Sequence, residues 1–339
     1  MVSSVFNGER LTRRKLNMGK NNVYMKHWLS DKGRFADLIN GSLYQGRQVF
    51  TAENISLEDG DQGLVLKKTD GKEIAVQRYR DIMMRAVDGT RIVVLACENQ
   101  DEIHYAMPVR EMLYDALSYV DQVNALRKNH REKKDIKESA EFISGMKKMD
   151  LLSPVLNIVF YYGEDEWDGS LDLHGLLGLD RIDYRMLKKY VPNYRINLID
   201  PKKLENLECF QTDLQIIFGM LKYRKNKEGM RSYVQNNRSY FAQVDQDSYN
   251  AVRAMLGSEQ HLKAVKAKAG GTVNMCKALE DLYQDGVEEG IEKGIKVMVQ
   301  DYLEEGYCKE KILDKLTKGF SLNQEESRRY YERFAKSVR

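Results

Sequence analysis

The chain has 339 residues, 31% of them charged, with 54 Lys and Arg against 51 Asp and Glu for a formal net charge of +3. That balance excludes a histone-like polyanion binder. No apolar run approaches the roughly 18 residues of a membrane-crossing helix, and no apolar signal core follows Met1, so a cytoplasmic protein without a membrane partner is predicted. The four cysteines, Cys97, Cys209, Cys276 and Cys308, lie far apart without a Cys-x-x-Cys, which excludes a disulfide framework and a zinc site of that kind.

In chain order, residues 1–20 read as a polar, basic, disordered leader. Ser30-Asp31 then precedes an apolar helix carrying Phe35 and Asp37, and Asp31 reads as its N-cap. Residues 73–86 are strand-like, and Asp88-Gly89 is a two-residue hairpin signal because both positions tolerate positive φ. With that loop, Val87 opposes Thr90 and Ala96 opposes Asp81. Opposed residues share a face and side chains repeat every second residue, so Ala96, Glu98 and Gln100 lie on the face of Asp81. Glu98 becomes its diagonal neighbour at roughly 7 to 8 Å, a gap that two carboxylates close by reaching to one cation. One extra loop residue would reverse this parity.

Ile92 to Cys97 is apolar on both faces, as a central strand should be, and the run stops at Glu98. A carboxylate there must be solvated, paired or metal-bound, since burying it bare is costly. Asp…Glu-x-polar is a loose pattern, and a strand that simply surfaces at Glu98 is the other reading. Pro108 suits a first helical turn, and Val109, Met112, Leu113, Ala116, Leu117, Val120 and Val123 then form one apolar stripe. Arg110 and Tyr114 sit four apart on a neighbouring stripe, either touching a bound phosphate and bracing Glu98 or packing as a hydrogen-bonded pair.

Basic residues gather at 127–134, at 222–227 and at Lys263, Lys266 and Lys268, where they either neutralise phosphates or end solvated helices. Residues 128–150 are highly charged and suggest a helical insertion. Further strands are predicted at 155–162 and 194–200, with the acidic stretch 164–168 as a solvated loop. From residue 226 the pattern is helical and proline-free, ending in a helix pair at 301–316 and 323–336. That pair is either a small DNA-reading unit or an assembly element. Gly286, Gly290 and Gly294 recur every four residues and would let another helix approach, which points to homo-oligomerisation through the C-terminal helices. The organisation expected is a leader (1–20), an α/β domain (21–225), a helical segment (226–300) and a small C-terminal helical unit (301–339).

Several pieces occur in a characteristic order. They are Asp31 and Phe35 on an early helix, Tyr-Arg-Asp81, a hairpin, Glu98-x-Gln100, and Met-Pro-x-Arg110-x-x-x-Tyr114. Residues 154–163, ending in Tyr-x-Gly, and the Gly290, Gly294 and Gly306 tail complete the set. Together they resemble the recombination-promoting nuclease and putative transposase family, a branch of the PD-(D/E)XK nuclease superfamily. The resemblance implies an α/β fold, a PD-(D/E)XK-type mixed sheet flanked by helices, with a helical C-terminal region. It implies a DNA endonuclease using Mg2+ or Mn2+, with Asp81 and Glu98 as metal ligands and DNA as partner. Gln100 would fill the position usually held by a catalytic lysine. A neutral amide there orients a water or lends its oxygen to the metal, but brings no positive charge. Arg80, Arg85, Arg91 and Arg110 are the candidates for that charge, and Asp31 or Asp37 would add a further acid. A noncatalytic protein that keeps the fold to bind DNA or a protein is the alternative.

Overall fold

The computed structural model describes residues 23–58, 61–67, 73–79, 81–88, 91–256, 262 and 271–335. The expected leader and the cluster Lys263, Lys266 and Lys268 lie outside the described residues. Among the described residues no helix is long and apolar enough to cross a membrane.

Helix α1 (Lys32–Tyr44) starts where Asp31 accepts the Arg34 amide at 2.9 Å, and stops at Gln45, whose φ of 55° ends the helical run. Phe35, Leu38 and Ile39, spaced three and one apart, bury one side of it. Strand β1 (Ile55–Leu57) follows. A separate antiparallel pair, β2 (Asp61–Lys67) and β3 (Glu73–Tyr79), then precedes β4 (Ile82–Asp88) and β5 (Arg91–Gln100). The single strand expected over 73–86 is therefore two, one ending at Tyr79 and the other beginning at Ile82, paired into different sheets.

The main sheet has the order β1-β4-β5-β6-β7, with β6 at Val155–Tyr161 and β7 at Leu198–Ile199. The strands β1, β4 and β5 are antiparallel, whereas β6 joins β5 in parallel. A parallel neighbour requires a crossover, and the connection contains α2 (Met107–Lys133). The strand expected over 194–200 shrinks to two residues, because Arg195 instead bridges Asp172 in the loop before it.

One face of the sheet is apolar. Met84, Leu95, Cys97, Ile158 and Phe160 pack in one buried cluster with Phe35, Leu38 and Ile39 of α1. Ile217 and Phe218 of α3 (Leu214–Tyr223), and Tyr249 and Val252 of α4 (Gln246–Met255), belong to the same cluster, which continues to Met275. The other face carries α2, with Met107, Val159, Tyr161, Trp167 and Ile196 in a smaller cluster.

Helix α2 is turned opposite to its apolar stripe. Glu111, Tyr114 and Ser118 are buried beside Met107 and Leu117, whereas Val109, Met112, Leu113 and Val120 are exposed. The cause lies beneath it: buried Glu98 and Asn157 on the sheet need polar partners, and only the polar stripe provides them.

At the C-terminal end, α5 (Met275–Glu304), α6 (Lys309–Phe320) and α7 (Gln324–Ala335) enclose their own cluster of Ile295, Val299, Ile312, Leu316 and Phe334. The helix pair expected from residue 301 is thus a trio, since 301–304 still belong to the long α5. Phe320 approaches Gly294, while a Cβ at Gly286 or Gly290 would meet open space.

Candidate functional site

The β4–β5 register differs from the expected one and keeps its consequence. Ile82 pairs with Cys97, Val87 with Ile92 and Asp88 with Arg91, so the pairing is shifted by two residues, and residues 89 and 90 lie outside the described residues. A shift of two leaves every side chain on its face. Asp81 lies one residue before Ile82, outside the ladder, and continuing the pairing would set it level with Glu98 rather than diagonal to it.

The two acids hold the ladder's end together. Asn99 donates its amide to Asp81 Oδ2 at 2.9 Å, and the Asp81 amide points at Glu98 Oε1 at 3.4 Å. Asp81 is half-buried and Glu98 is fully buried. Arg110, in the first turn of α2, donates Nη2 to Glu98 Oε2 at 2.7 Å and Nε to the Tyr114 hydroxyl at 3.2 Å. Its guanidinium is one third exposed, so one side faces Glu98 and the other solvent. Burial works against the charge on Arg110, but Glu98, Tyr114 and Glu111 together outweigh it and hold the guanidinium above its ordinary value. Burial and then the Glu98 charge push the Tyr114 phenol up, so it stays neutral and accepts the bond from Arg110. The buried Cys97 thiol, next along β5, is raised by desolvation and then by Asp81 and Glu98, which leaves it an inert thiol.

Gln100 ends β5 half-buried, level with Tyr161 of β6. The Tyr-x-Gly element follows there. A Cβ at Gly163 would overlap the Asp101 carbonyl oxygen, so the two strand ends close up only on glycine. Lys202 then ties the ends together, donating to the Gly163 carbonyl at 2.6 Å and the Asp165 carbonyl at 3.0 Å, with its ammonium 4.4 Å from the Tyr161 ring centre. Burial lowers its pKa, against the pull of Asp200.

The acids of the first helix do not join this group. Asp31 is spent on the N-cap of α1, which packs on the other face of the sheet. Asp37 accepts the Gln211 and Thr212 amides and the Thr212 hydroxyl, at 2.9, 2.7 and 2.6 Å. Arg85 pairs with Glu58 at 2.5 Å; Arg80 and the Arg91 side chain lie outside the described residues. The basic cluster at 127–134 stands seventeen residues beyond Arg110, about 25 Å along α2, and is not beside the acids. Arg224 of the second cluster binds the Tyr162 carbonyl and Glu164, so the acidic loop is paired within the chain.

Sequence reasoning passed over a second polar group on the same face: Glu111 and Asp115 on α2, Asn157 on β6, and Tyr194. Its signal was present as two acids four residues apart on a helix, placed beside Arg110.

Two carboxylates at adjoining strand ends are hard oxygen donors of the kind Mg2+ and Mn2+ prefer, so the donor set fits such an ion. Among the described residues no group of three or more His, Cys, Asp or Glu side chains is arranged to hold a metal. Water, substrate or the Gln100 amide would have to complete the shell.

Residues 113–250 match the family model described as "Putative transposase, YhgA-like", which agrees with the resemblance read from the sequence. The matched segment contains Tyr114 and begins after Asp81, Glu98 and Arg110. No curated protein and no solved structure matches the chain.

Proposed function

We propose that the chain is a metal-dependent endonuclease that hydrolyses DNA phosphodiester bonds in the service of recombination or a mobile element. One observation carries this reading: Asp81, just before β4, and Glu98, near the end of β5, each hydrogen-bond the other's strand end, which keeps the two carboxylates close enough for a single ion to be shared. The order of helix, antiparallel strands, crossover helix and parallel strand is the arrangement the nuclease superfamily implies, and the transposase-like match supports DNA as partner.

In this mechanism Asp81 and Glu98 hold the metal. When bound, such an ion lowers the pKa of a water and offsets charge on the phosphate under attack. Arg110 supplies the positive charge that Gln100 lacks. Its exposed side is free to meet a phosphate oxygen while its other side keeps Glu98 aligned, and Tyr114 fixes its direction. Gln100, with an amide and no charge, orients water at the end of β5.

A second reading rests on a specific contact. Glu98 is already neutralised by Arg110 at 2.7 Å, as it would be in a noncatalytic binding protein that keeps the fold. Plasmid nicking separates the two. The nuclease reading expects nicks that need Mg2+ or Mn2+, vanish with chelator, and are lost in Glu98→Ala and Asp81→Ala while DNA binding survives. Binding without nicking in any metal would leave the noncatalytic reading.

A further inference from the structure

Between α2 and β6 lies a cavity of about 120 Å³ whose polar walls include Glu111, Asp115, Asn157 and Tyr194, with the exposed Arg195 also on its lining. Its volume equals about four water molecules at the roughly 30 Å³ each occupies in the liquid. Glu111 and Asp115 are four apart on α2 and so stack on one side of it. Glu111 is almost fully buried, at 1% exposure.

The decisive group is Asn157, buried to 7% exposure on β6. Its Nδ2 donates to Glu111 Oε2 and faces Asp115 Oδ1 at 3.5 Å, and Tyr194 donates its hydroxyl to Asp115 Oδ2 at 2.6 Å. The amide oxygen Asn157 Oδ1 is buried without any hydrogen-bond partner. Leaving such an acceptor unmet costs on the order of 1–3 kcal/mol, and a buried unmet group signals a ligand that satisfies it. Asn157 Nδ2 faces both carboxylates, and turning the amide over would set its oxygen beside them, giving an all-oxygen donor set around a cavity wide enough for a partly hydrated ion.

We infer that Glu111, Asp115 and Asn157 form a second cation site, for a hard divalent ion such as Ca2+ or Mg2+, separate from the Asp81–Glu98 pair. Asn157 is level with Ala96 and Val159 is level with Glu98, so the second site sits two residues along the strands from the first. An ion there would pin the start of α2 to β6, and with it Arg110 and Tyr114. The site requires no cleavage chemistry, so it stands or falls apart from the nuclease reading.

Terbium luminescence tests it, because Tyr194 touches Asp115 and can sensitise a bound lanthanide. The full chain carrying Asp81→Asn is titrated with Tb3+ under tyrosine excitation, so that the Asp81–Glu98 pair is disabled. Emission is expected, displaced by Ca2+ or Mg2+, and lost when Asp115→Asn or Glu111→Gln is added. Which of the two ions displaces at the lower concentration identifies the preferred one. Tyr194→Phe should dim the emission yet keep a cation-dependent rise in Tm, and Asp115→Asn should abolish that rise. Emission and Tm shift unchanged by both Asp115→Asn and Glu111→Gln, or absent from the parent, would overturn the site.

Discussion

The two faces of the central sheet are built from alternate residues of the same strand and do opposite things. Leu95 and Cys97 of β5 point into the apolar cluster under α1, where the nearby acids are consumed by structure: Asp31 caps a helix and Asp37 holds the backbone at residues 211–212. Ala96 and Glu98 point the other way, under a helix that turns its polar stripe inward and its apolar stripe outward. Asp31 and Asp37 on the first face are held by backbone amides and a hydroxyl, while Asp213 and Asp245 there share Arg34. Asp81 and Glu98 on the second are held by one arginine and by the ends of one another's strands, partners that a metal or substrate could replace. Burial alone therefore does not single out an acid as a candidate metal ligand; the replaceability of its partner is the better guide.

Substitutions on each face should separate stability from function. Phe35→Ala is expected to have the largest effect, lowering stability by about 3–5 kcal/mol in urea unfolding while sparing cleavage per folded molecule. Arg110→Leu strands Glu98 in the interior and should cost about 2–3 kcal/mol, less than a fully buried pair because the guanidinium is a third exposed. Adding Glu98→Leu should restore most of that stability and leave no nicking. A double variant that stays unstable would mean the polar face serves the fold. Asp37→Ala should cost about 1–3 kcal/mol by orphaning its backbone donors, with no change in metal dependence.

A pH effect is expected away from both faces. His130 binds Asp150 and Asp135 at 2.8 Å each, and Lys147 binds Asp135, joining the end of α2 to the segment after it. Hydrogen bonds to Asp150 and then Asp135 raise the His130 pKa, so its contribution is complete below its unfolded value of about 6.5 and fades as pH rises through the folded one. The Lys147 bond, with His130 behind it, holds Asp135 down at about 2, so its contribution is complete above its unfolded value near 3.9 and fades as pH falls toward 2. Hydrogen-exchange protection factors across residues 135–150, corrected for the intrinsic pH dependence of amide exchange, should be largest between these limits, and His130→Gln should abolish the alkaline loss. The smallest effect belongs to Gly290→Ala. It should stabilise α5 by up to about 1 kcal/mol if that side faces solvent, and weaken self-association if another copy packs there.

What was legible in the sequence follows period and parity. The two faces of β5 could be told apart because strand side chains alternate strictly, and the register differs from the expected one by two residues, a shift that leaves that alternation unchanged, with Asp81 just before the ladder. The orientation of α2 was not legible from its own residues. Its apolar stripe predicted the opposite burial, and only the charge on the neighbouring strand explains which side turns in. The division between β3 and β4 was hidden because residues of both favour strands, and strand propensity does not say which partner each will find. The Glu111, Asp115 and Asn157 group needed contacts across more than forty residues, which no local spacing encodes.

The most direct test of the central claim is affinity cleavage by Fe2+ with ascorbate, in which a bound iron cuts the backbone beside its ligands. The account expects paired cuts at positions 81 and 98, both suppressed by excess Mg2+ and both lost in Asp81→Asn. Cuts at one strand without the other, or at neither, would contradict a single ion shared between those two carboxylates.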